Sequence, residues 1–461
     1  MCRALSSSQV DQGREGKGRK NHQSSSYGVR VATGRYGATM SSAGDAITSL
    51  YSARAAHAPP SPNQPPDFPV RVNFDQGLPD PRYFPVERLK RHLVATLDEH
   101  GRDALRYFST GGASEMQYGY LGLRDELARW MARRDGREHD PEGIALVNGS
   151  TDGLALAVNA FLGPGDGAVV ESATYPHTKR YMAMTGAVVR SAALDDDGLD
   201  IGSVEEQLVR LRADGLRPKL IYTIPTFHAP TGTVMPLERR RALIALAAKW
   251  QVMVLEDNCY YEFAYGTRPP PTLLALDESG FVLQSDSFSK YVAPGLRMAW
   301  LAGHPAAIKA IVRVRQDFAV SQLLARALER YLAAGDFDAH LVALRGHYRE
   351  KRDATRDALW KYARPWVRFR EPAGGFYFWL ELDERVDWDR ARAALADQGI
   401  AFRPADRFAD DDHGHGKADE RRFVRISPIQ VPLEDIEPGI AALGAALAAA
   451  VASPDGQRRE R

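Results

Sequence analysis

The stretch SDSFSK at residues 285–290 is more informative about the fold than any other part of this sequence. It directly follows an apolar run, and its lysine, Lys290, lies in a mostly apolar setting. Partial desolvation lowers the pKa of a lysine amine, which can then form a Schiff base with a carbonyl compound. A lysine in a surface loop would look similar, so the functional interpretation depends on the surrounding sequence.

Side chains suited to an anion flank this lysine. Ser287 and Ser289 precede it, and Arg297 follows in APGLR at residues 293–297. Hydroxyl groups and the paired N–H donors of a guanidinium can hold a dianionic phosphate. The sequence therefore predicts a phosphate site close to Lys290.

The stretch NGSTDG at residues 148–153 indicates a second contribution to an anion site. It follows the apolar run 144–147 and opens an apolar helix. Backbone N–H groups at the start of a helix are unpaired and favour an anion, and Ser150 and Thr151 add hydroxyl donors. The same residue types also cap helices without binding a ligand, so this pattern alone leaves both interpretations open.

A third stretch, VMVLEDNCYY at residues 252–261, consists of an apolar run that leads into Asp257. This pattern places a carboxylate at the C-terminal end of a strand. Ligands of open α/β sheets bind at that edge. An aspartate that merely caps the next turn would give the same pattern.

Short β-branched runs alternate with helical stretches through the middle of the chain, which is typical of a βαβ sheet. The predicted strands are 168–171, 219–224, 252–256, 281–285 and 298–302. The predicted helices include 151–162 and 236–250. Beyond residue 322 we expect long helices, strand-like runs at 375–382 and 423–427, and a last helix over 433–451.

The composition excludes several classes of protein. The 461 residues include 60 basic and 59 acidic side chains, so the chain lacks the excess of positive charge typical of nucleic-acid binding. Two cysteines cannot build a disulfide-held secreted fold of this length. The longest weakly polar run, 439–452, is shorter than the ~20 residues that span a bilayer. No metal site is predicted, because DDDHGH at 410–415 is typical of a solvated loop.

Residues 1–66 differ from the rest of the sequence. They are rich in Ser, Gly, Arg and Pro and show no sustained helical or strand period. Such a segment buries too little surface to offset chain entropy, so we predict a disordered or non-native extension. Two alternatives are a true start at Met40 and an organelle transit peptide. Without an apolar signal region, we expect a cytoplasmic protein.

The three stretches, in this order and spacing, resemble the pyridoxal-phosphate enzymes of the aspartate-aminotransferase fold. The resemblance is to the class I/II subgroup that holds the 2-aminoadipate and kynurenine aminotransferases and the effector domains of MocR-type regulators. It extends over residues 68–452. It also includes FDQGLPDP at 74–81, GYLGLR at 119–124, APTG at 229–232, PAGG at 372–375 and FVRIS at 423–427.

The resemblance implies an α/β protein of fold type I. A large domain over 111–321 would contain a mostly parallel seven-stranded sheet flanked by helices. A smaller α+β domain would combine 67–110 with 322–452, and a polar tail would follow at 453–461. The active site would lie between the domains and at a dimer interface.

The resemblance also implies roles around the cofactor, pyridoxal 5′-phosphate. Lys290 would hold it as a Schiff base and, once released, would move the substrate's proton. Asp257 would keep the pyridine nitrogen protonated, which makes the ring a better electron sink. Tyr260 would donate to the ring 3-oxygen. Tyr175 would stack on the ring face, although a core tyrosine is the simpler alternative.

Further roles concern the phosphate and the substrate. The residues expected to bind the cofactor phosphate are Ser150, Thr151, Ser287, Ser289 and Arg297. Tyr118 would reach the phosphate of the neighbouring subunit's cofactor, which implies a homodimer with shared active sites. Arg425 would bind the substrate α-carboxylate through a bidentate fork, and the backbone near Gly77 would close over it. A strand arginine in a salt bridge is the alternative for Arg425.

Ala229 departs from the family pattern. Members usually carry Asn before Pro-Thr-Gly, where the amide donates to the ring 3-oxygen, whereas an alanine methyl offers no hydrogen bond. The 3-oxygen would then depend on Tyr260 alone. The segment around residues 116–119 also looks a few residues shorter than usual, so substrate choice and the role of Tyr118 are open.

The resemblance favours an aminotransferase that passes an amino group from an α-amino acid to a 2-oxo acid. Ala229 leaves open another reaction on the same cofactor: an elimination, a lyase reaction that consumes S-adenosylmethionine, or an oxygen-dependent oxidation in specialised metabolism. A third alternative is a regulator that senses an amino acid, as MocR-type proteins do. Residues 1–66 lack the amphipathic helices of a DNA-reading domain, which argues against the regulator.

Overall fold

The computed structural model describes residues 43–56, 58–59, 61, 65–107, 113–318, 320–405, 408 and 422–451. The chain divides into two compact units, residues 1–51 and 52–461. In the first unit the described part holds helix α1 (Ala43–Thr48). Most of the extension 1–66, the segment 410–415 and the tail 453–461 lie outside the described residues.

Fifteen strands occur in the described part of the chain. They are β1 (Val72–Asn73), β2 (Ile144–Val147), β3 (Asp166–Glu171), β4 (Val188–Ala192), β5 (Leu194–Asp195), β6 (Gly198–Leu199), β7 (Arg217–Thr223), β8 (Met253–Asp257), β9 (Val282–Ser287), β10 (Ala299–Gly303), β11 (Val367–Arg368), β12 (Phe378–Leu382), β13 (Ile400–Ala401), β14 (Arg403–Pro404) and β15 (Phe423–Ile426). The five strands predicted in the middle of the chain are confirmed to within two residues at either end.

Seven of these strands form the central sheet, in the order β2-β10-β9-β8-β7-β3-β4. Strand β10 is antiparallel to both of its neighbours, and the other adjacent pairs are parallel. The mostly parallel seven-stranded sheet is therefore confirmed. Strands β2, β3, β8 and β9 are buried along their whole length, as expected when helices cover both faces.

Helices connect and cover the strands. After α1 they are α2 (Ala53–Ala56), α3 (Val86–His100), α4 (Ala113–Tyr118), α5 (Leu121–Asp135), α6 (Ser150–Phe161), α7 (Pro176–Ala183), α8 (Ile201–Ala213), α9 (Leu237–Trp250), α10 (Leu273–Leu276), α11 (Phe288–Tyr291), α12 (Pro305–Val314), α13 (Gln322–Ala333), α14 (Asp336–Ala358), α15 (Trp388–Ala396) and α16 (Leu433–Ala449). Predicted helices 151–162 and 236–250 correspond to α6 and α9. None of the described helices is long and apolar enough to cross a membrane.

A second sheet, of order β11-β12-β15-β14, belongs to the C-terminal part. Its apolar side chains form one buried cluster with α16, while the central sheet and its helices form another. Helix α13 and the first half of α14 contribute to the central cluster, so the clusters do not follow the expected boundary at 321/322. The division into large and small domains stays a prediction.

Parallel strands β7, β8 and β9 place their C-terminal ends side by side. Thr223 lies opposite Glu256, and Asp257 lies opposite Ser285. The chain then turns directly from β9 into α11, which carries Lys290. This register brings the carboxylate and the amine of the predicted site to one edge of the sheet.

Candidate active site

A cavity of about 470 Å³ opens at this edge of the sheet. Ten of the twelve residues singled out from the sequence line it: Gly77, Ser150, Thr151, Tyr175, Asp257, Tyr260, Ser289, Lys290, Arg297 and Arg425. They come from segments as far apart in the chain as those of Gly77 and Arg425. The fold thus gathers most of the predicted site in one place.

Lys290 lies in the short helix α11. Ser287 caps this helix, because its hydroxyl accepts a hydrogen bond from the Ser289 backbone N–H at 3.0 Å. The Lys290 Nζ donates to the carbonyl oxygen of Gly77 at 2.8 Å. A Cβ atom at position 77 would lie 2.1 Å from the hydroxyl oxygen of Tyr377, so only glycine fits there.

Asp257 is buried at the end of β8 with two oxygens in different environments. Its Oδ2 accepts a hydrogen bond from the Tyr222 hydroxyl at 2.9 Å. Its Oδ1 is buried without a hydrogen-bond partner among the described residues. Burial raises the pKa of Asp257 above its ordinary value, and donation by Tyr222 opposes that shift. The free oxygen suits a charged N–H donor, which would compensate a desolvated carboxylate.

The start of α6 forms a cradle with Arg297. The Arg297 Nη2 donates to the Asn148 carbonyl oxygen at 3.0 Å, beside Gly149. Gly149 has a φ of 93°, and a Cβ there would lie 2.2 Å from Arg297 Nη2. Glycine is required at this position both by the backbone conformation and by the close approach of the guanidinium. The helix N-terminus, Ser150 and Thr151 and the guanidinium together suit a phosphate.

Tyr260 and Tyr377 share a hydrogen bond of 2.7 Å between their hydroxyl oxygens. Burial raises the pKa of Tyr260 well above its ordinary value, so its hydroxyl keeps the proton that the predicted role requires. Ala229 also lines the cavity. The neighbouring His228 does not replace an amide there, because its ring nitrogens lie 3.1 Å from Glu171 Oε2 and 2.8 Å from Thr231 Oγ1.

Tyr175 immediately precedes α7 and lies partly buried in the cavity wall. Its ring centroid is 5.0 Å from that of His177, which lines the same wall. Burial raises the pKa of Tyr175, so its ring remains a neutral phenol. An aromatic face is therefore present where the sequence predicted one, and its stacking role stays a prediction.

Two predicted residues lie outside the cavity wall. Ser287 is completely buried, and its hydroxyl donates to the Met298 carbonyl oxygen at 3.5 Å besides capping α11. Tyr118 ends α4, and its ring lies 5.4 Å from the guanidinium carbon of Arg124. Neither position shows whether Ser287 or Tyr118 contacts a phosphate. The contact predicted for Tyr118 would be with the cofactor of a second subunit.

Arg425 lies in β15 and is 6% exposed. Its guanidinium donates through Nη2 to the backbone carbonyl of Asp75 and packs 4.6 Å from the Tyr377 ring centroid. Its Nε is buried without a partner among the described residues. Burial lowers the pKa of Arg425, and the charge of Arg403 acts in the same direction. The described chain supplies this guanidinium with a carbonyl but with no carboxylate, which is consistent with the predicted role.

The sequence interpretation missed several residues of this cavity. Arg403 is one, and a charged residue within the apolar run IAFRP at 400–404 was its signal. Tyr377, His177 and Phe408 had no distinctive pattern in the sequence. The interpretation also missed Tyr222, which lies outside the cavity wall but donates to Asp257, and a buried tyrosine in an apolar strand normally needs a partner for its hydroxyl, which was an available signal.

The residues present fit pyridoxal phosphate. The unpartnered Asp257 Oδ1 matches a protonated ring nitrogen, the cradle at Gly149 matches a phosphate, and Lys290 matches a carbonyl carbon. In the described part of the chain no group of three His, Cys, Asp or Glu side chains is arranged to hold a metal ion.

Comparisons with known proteins agree with this chemistry. Residues 89–443 match the family described as aminotransferase class I and II. An aromatic-amino-acid aminotransferase of Thermococcus litoralis is 31% identical over 374 residues, covering 80% of this chain and 86% of that protein. A 2-aminoadipate transaminase of Thermus thermophilus is 30% identical, covering 82% and 90%.

A solved structure is also similar. The α-aminoadipate aminotransferase LysN from Thermus thermophilus, crystallised with N-(5′-phosphopyridoxyl)-L-leucine, superimposes with a TM-score of 0.76 at 28% identity. The comparison covers 87% of this chain and 98% of that one. These matches do not favour the elimination, lyase or oxidase alternatives. Transcriptional regulators also occur among the relatives, such as TauR of Rhodobacter capsulatus, which is 31% identical over 70% of this chain and 64% of that protein. The chain belongs to the aminotransferase class I and II family, and it is a pyridoxal-phosphate-dependent aminotransferase of fold type I.

Proposed function

We propose that this aminotransferase moves the amino group of an α-amino acid to a 2-oxo acid within the one cavity lined by Lys290, Asp257 and Arg425. The observation that supports this most directly is that an amine, an unpartnered buried carboxylate oxygen and an unpartnered guanidinium N–H belong to residues of the same cavity wall. Pyridoxal phosphate, when bound, supplies the electron sink that stabilises the electron pair left at the substrate Cα.

The residues that would face the cofactor and those that would face the substrate have different tasks. Asp257 keeps a positive charge on the ring nitrogen, and Tyr222 orients the carboxylate by occupying its other oxygen. Lys290 takes the proton from the substrate Cα, which requires the amine to leave the Gly77 carbonyl. Tyr260 donates to the ring 3-oxygen.

The substrate end positions the amino acid for this proton transfer. Arg425 binds the α-carboxylate, and its buried position excludes water from the ion pair. Holding the carboxylate orients the Cα–H bond toward Lys290, and such positioning accounts for a large part of enzymatic rate enhancement. Ser150, Thr151, Ser289 and Arg297 bind the phosphate.

The experiment is to incubate the protein with pyridoxal phosphate, a panel of single L-amino acids and 2-oxoglutarate or pyruvate. We expect equal amounts of a new 2-oxo acid and a new amino acid, and none with Lys290→Ala. Lys309→Ala, an exposed lysine in α12, is the matched control. Ammonia or hydrogen peroxide formed without an acceptor would contradict the proposal.

The cellular context extends this proposal. We infer a cytoplasmic homodimer in which Tyr118 reaches the partner's cofactor phosphate. The position of Tyr118 outside its own cavity supports a role across an interface. Sedimentation of the purified protein, with Tyr118→Phe tested for a weakened affinity for the cofactor, would check both parts.

A further inference from the structure

Two arginines lie side by side in the substrate end of the cavity. Arg403 in β14 is the direct cross-strand neighbour of Arg425 in the antiparallel strand β15. Both residues line the cavity, so their side chains share one face of the sheet. Directly opposite residues have Cβ atoms about 5 Å apart. This spacing is comparable with the separation of the two carboxylates in a short dicarboxylic acid.

Asp75 holds both arginines, but in different ways. Its backbone carbonyl accepts from Arg425, whereas its carboxylate accepts a fork from Arg403, with Nη2 at 2.9 Å from Oδ2 and Nε on Oδ1. The side chains of Arg403 and Asp75 are 14% and 8% exposed. The Arg403 Nη1 has no hydrogen-bond partner among the described residues. The Asp75 carboxylate thus occupies Nε and Nη2 of Arg403, and Nη1 is left available to a ligand.

The charges at this end are balanced for a substrate with one carboxylate. The α-carboxylate would neutralise Arg425, and Asp75 already neutralises Arg403. The wall around them is largely apolar or aromatic and includes Leu78, Tyr377 and Phe408. A neutral side chain therefore meets no unpaired charge while the Arg403–Asp75 pair is closed.

Amino-group transfer passes two different substrates through the same cavity. A substrate with a side-chain carboxylate needs a cation at the position of Arg403 and can provide the same fork acceptor as Asp75. Exchange of one carboxylate for another conserves the hydrogen bonds of the guanidinium. The guanidinium thus keeps a carboxylate partner with both kinds of substrate, while the exchange requires the Asp75 carboxylate, 8% exposed, to leave the fork.

We propose that Arg403 is a specificity-determining residue that binds the side-chain carboxylate of a dicarboxylic amino or 2-oxo acid in exchange for Asp75. The inference rests on the proposed function, because it assigns Arg425 to the α-carboxylate. It adds to the site the residue that would bind a second carboxylate when dicarboxylic and neutral substrates share the cavity.

The first test compares L-glutamate with L-phenylalanine as amino donors. We expect Arg403→Met to lower kcat/KM for glutamate by about 30-fold or more, since a buried charge pair with the substrate is lost. The value for phenylalanine should change by less than about threefold, because Asp75 and Arg425 keep their backbone contact. Arg368→Met, an exposed arginine in β11 of the same sheet, should change neither value.

The second variant tests the exchange itself. Asp75→Asn removes the competing carboxylate but keeps the backbone carbonyl that contacts Arg425. We expect kcat/KM for glutamate to rise by roughly tenfold relative to phenylalanine. Because it retains both arginines, this variant also serves as the test if Arg403→Met fails to fold, which circular dichroism would show.

A binding measurement separates this inference from the proposed function. Calorimetry on the cofactor-loaded protein with glutarate and 4-phenylbutyrate needs no turnover. The inference requires that Arg403→Met weaken glutarate selectively. Equal losses for both ligands would mean that Arg403 is only structural, and no loss would mean that it does not contact substrate; either result overturns the inference. Absence of amino transfer from any donor would instead refute the proposed function.

Discussion

The two ends of the cavity are built in different ways. At the cofactor end, Asp257, Ser289 and Lys290 follow adjacent parallel strands of a single sheet, and Tyr222 comes from the next strand. At the substrate end, Asp75 lies 328 positions before Arg403 and 350 positions before Arg425 in the chain. The cofactor end is therefore a property of one sheet edge, whereas the substrate end exists only after distant segments have packed together.

This difference implies a division of labour that kinetics can test. Changes at the cofactor end should act on kcat and on the absorbance of the bound cofactor. Changes at the substrate end should act on KM and leave the absorbance as it is.

The largest effect is expected at the cofactor end. Under the proposed function, Asp257→Asn removes the charge that would hold the proton on the ring nitrogen, so kcat should fall by roughly 10²–10³-fold while KM changes little. Steady-state kinetics and the pH dependence of the cofactor absorbance would measure this. Asp397→Asn, at an exposed helix end, is the control. A change confined to KM would remove the distinction between the two ends.

The next effect concerns the substrate end. Arg425→Met should raise KM for amino acids by about 100-fold, because a buried ion pair with the α-carboxylate is lost. The absorbance of the bound cofactor should stay as in the wild type, and Arg368→Met should keep the wild-type KM. If the affinity for the cofactor fell as much as that for the substrate, Arg425 would belong to both ends.

A smaller effect is expected for the residue that supports Asp257. Tyr222→Phe removes a hydrogen bond to a carboxylate, worth about 1.5–3 kcal/mol, and should lower kcat by roughly 10-fold. Burial then raises the pKa of Asp257 with less opposition, since only the contacts with Cys259 still lower it, so the acid loss of activity should move to higher pH. Tyr362→Phe removes a tyrosine–carboxylate bond at the surface and provides the comparison. An unshifted pH profile would show that Tyr222 only fills space.

The smallest effect concerns the scaffold that both ends share. Burial lowers the pKa of His340 in α14 to about 4, so the native state binds its proton only well below the usual value of 6.5. The unfolded chain takes up this proton first, so the free energy of unfolding should fall as the pH drops from 6.5 toward 4, by up to about 2 kcal/mol at pH 5.

Urea unfolding of the wild type and of His340→Gln at pH 7 and pH 5 would measure this. The variant should show a smaller loss between the two pH values, since it cannot titrate at this position. If both proteins lost the same free energy, the acid sensitivity would have another origin.

Local patterns in the sequence were sufficient for the cofactor end. An apolar strand that ends in Asp257 and another that runs into Lys290 predict neighbouring positions, because parallel strands share the edge where they end. The start of α6 was also predicted to within one residue, at Thr151, because a helix N-terminus with hydroxyl residues has a local signature. Each of these features depends on contacts between residues close in sequence, or on the alignment of neighbouring parallel strands at one edge of the sheet.

The predicted extension shows the limit of composition as a guide. The described residues of the segment 1–66 include two short helices, Ala43–Thr48 and Ala53–Ala56, where the composition predicted none. A single helical turn needs few residues and little buried surface, so the overall composition of a long segment does not exclude it. Their exposed side chains agree with the expectation that this segment lacks a core.

The sequence by itself determined the fold class and placed the predicted lysine and carboxylate, because each ends or directly follows one apolar strand. It predicted the start of α6 and Arg297 only as separate parts of an anion site. Only the tertiary structure decided that Tyr222 occupies one oxygen of Asp257, that Arg297 meets the start of α6, and that Asp75 joins Arg403 to Arg425. Those contacts depend on the relative position of segments far apart in the chain. Nothing in the local pattern of a segment specifies which distant partner its side chain meets, because packing of the whole chain sets that position.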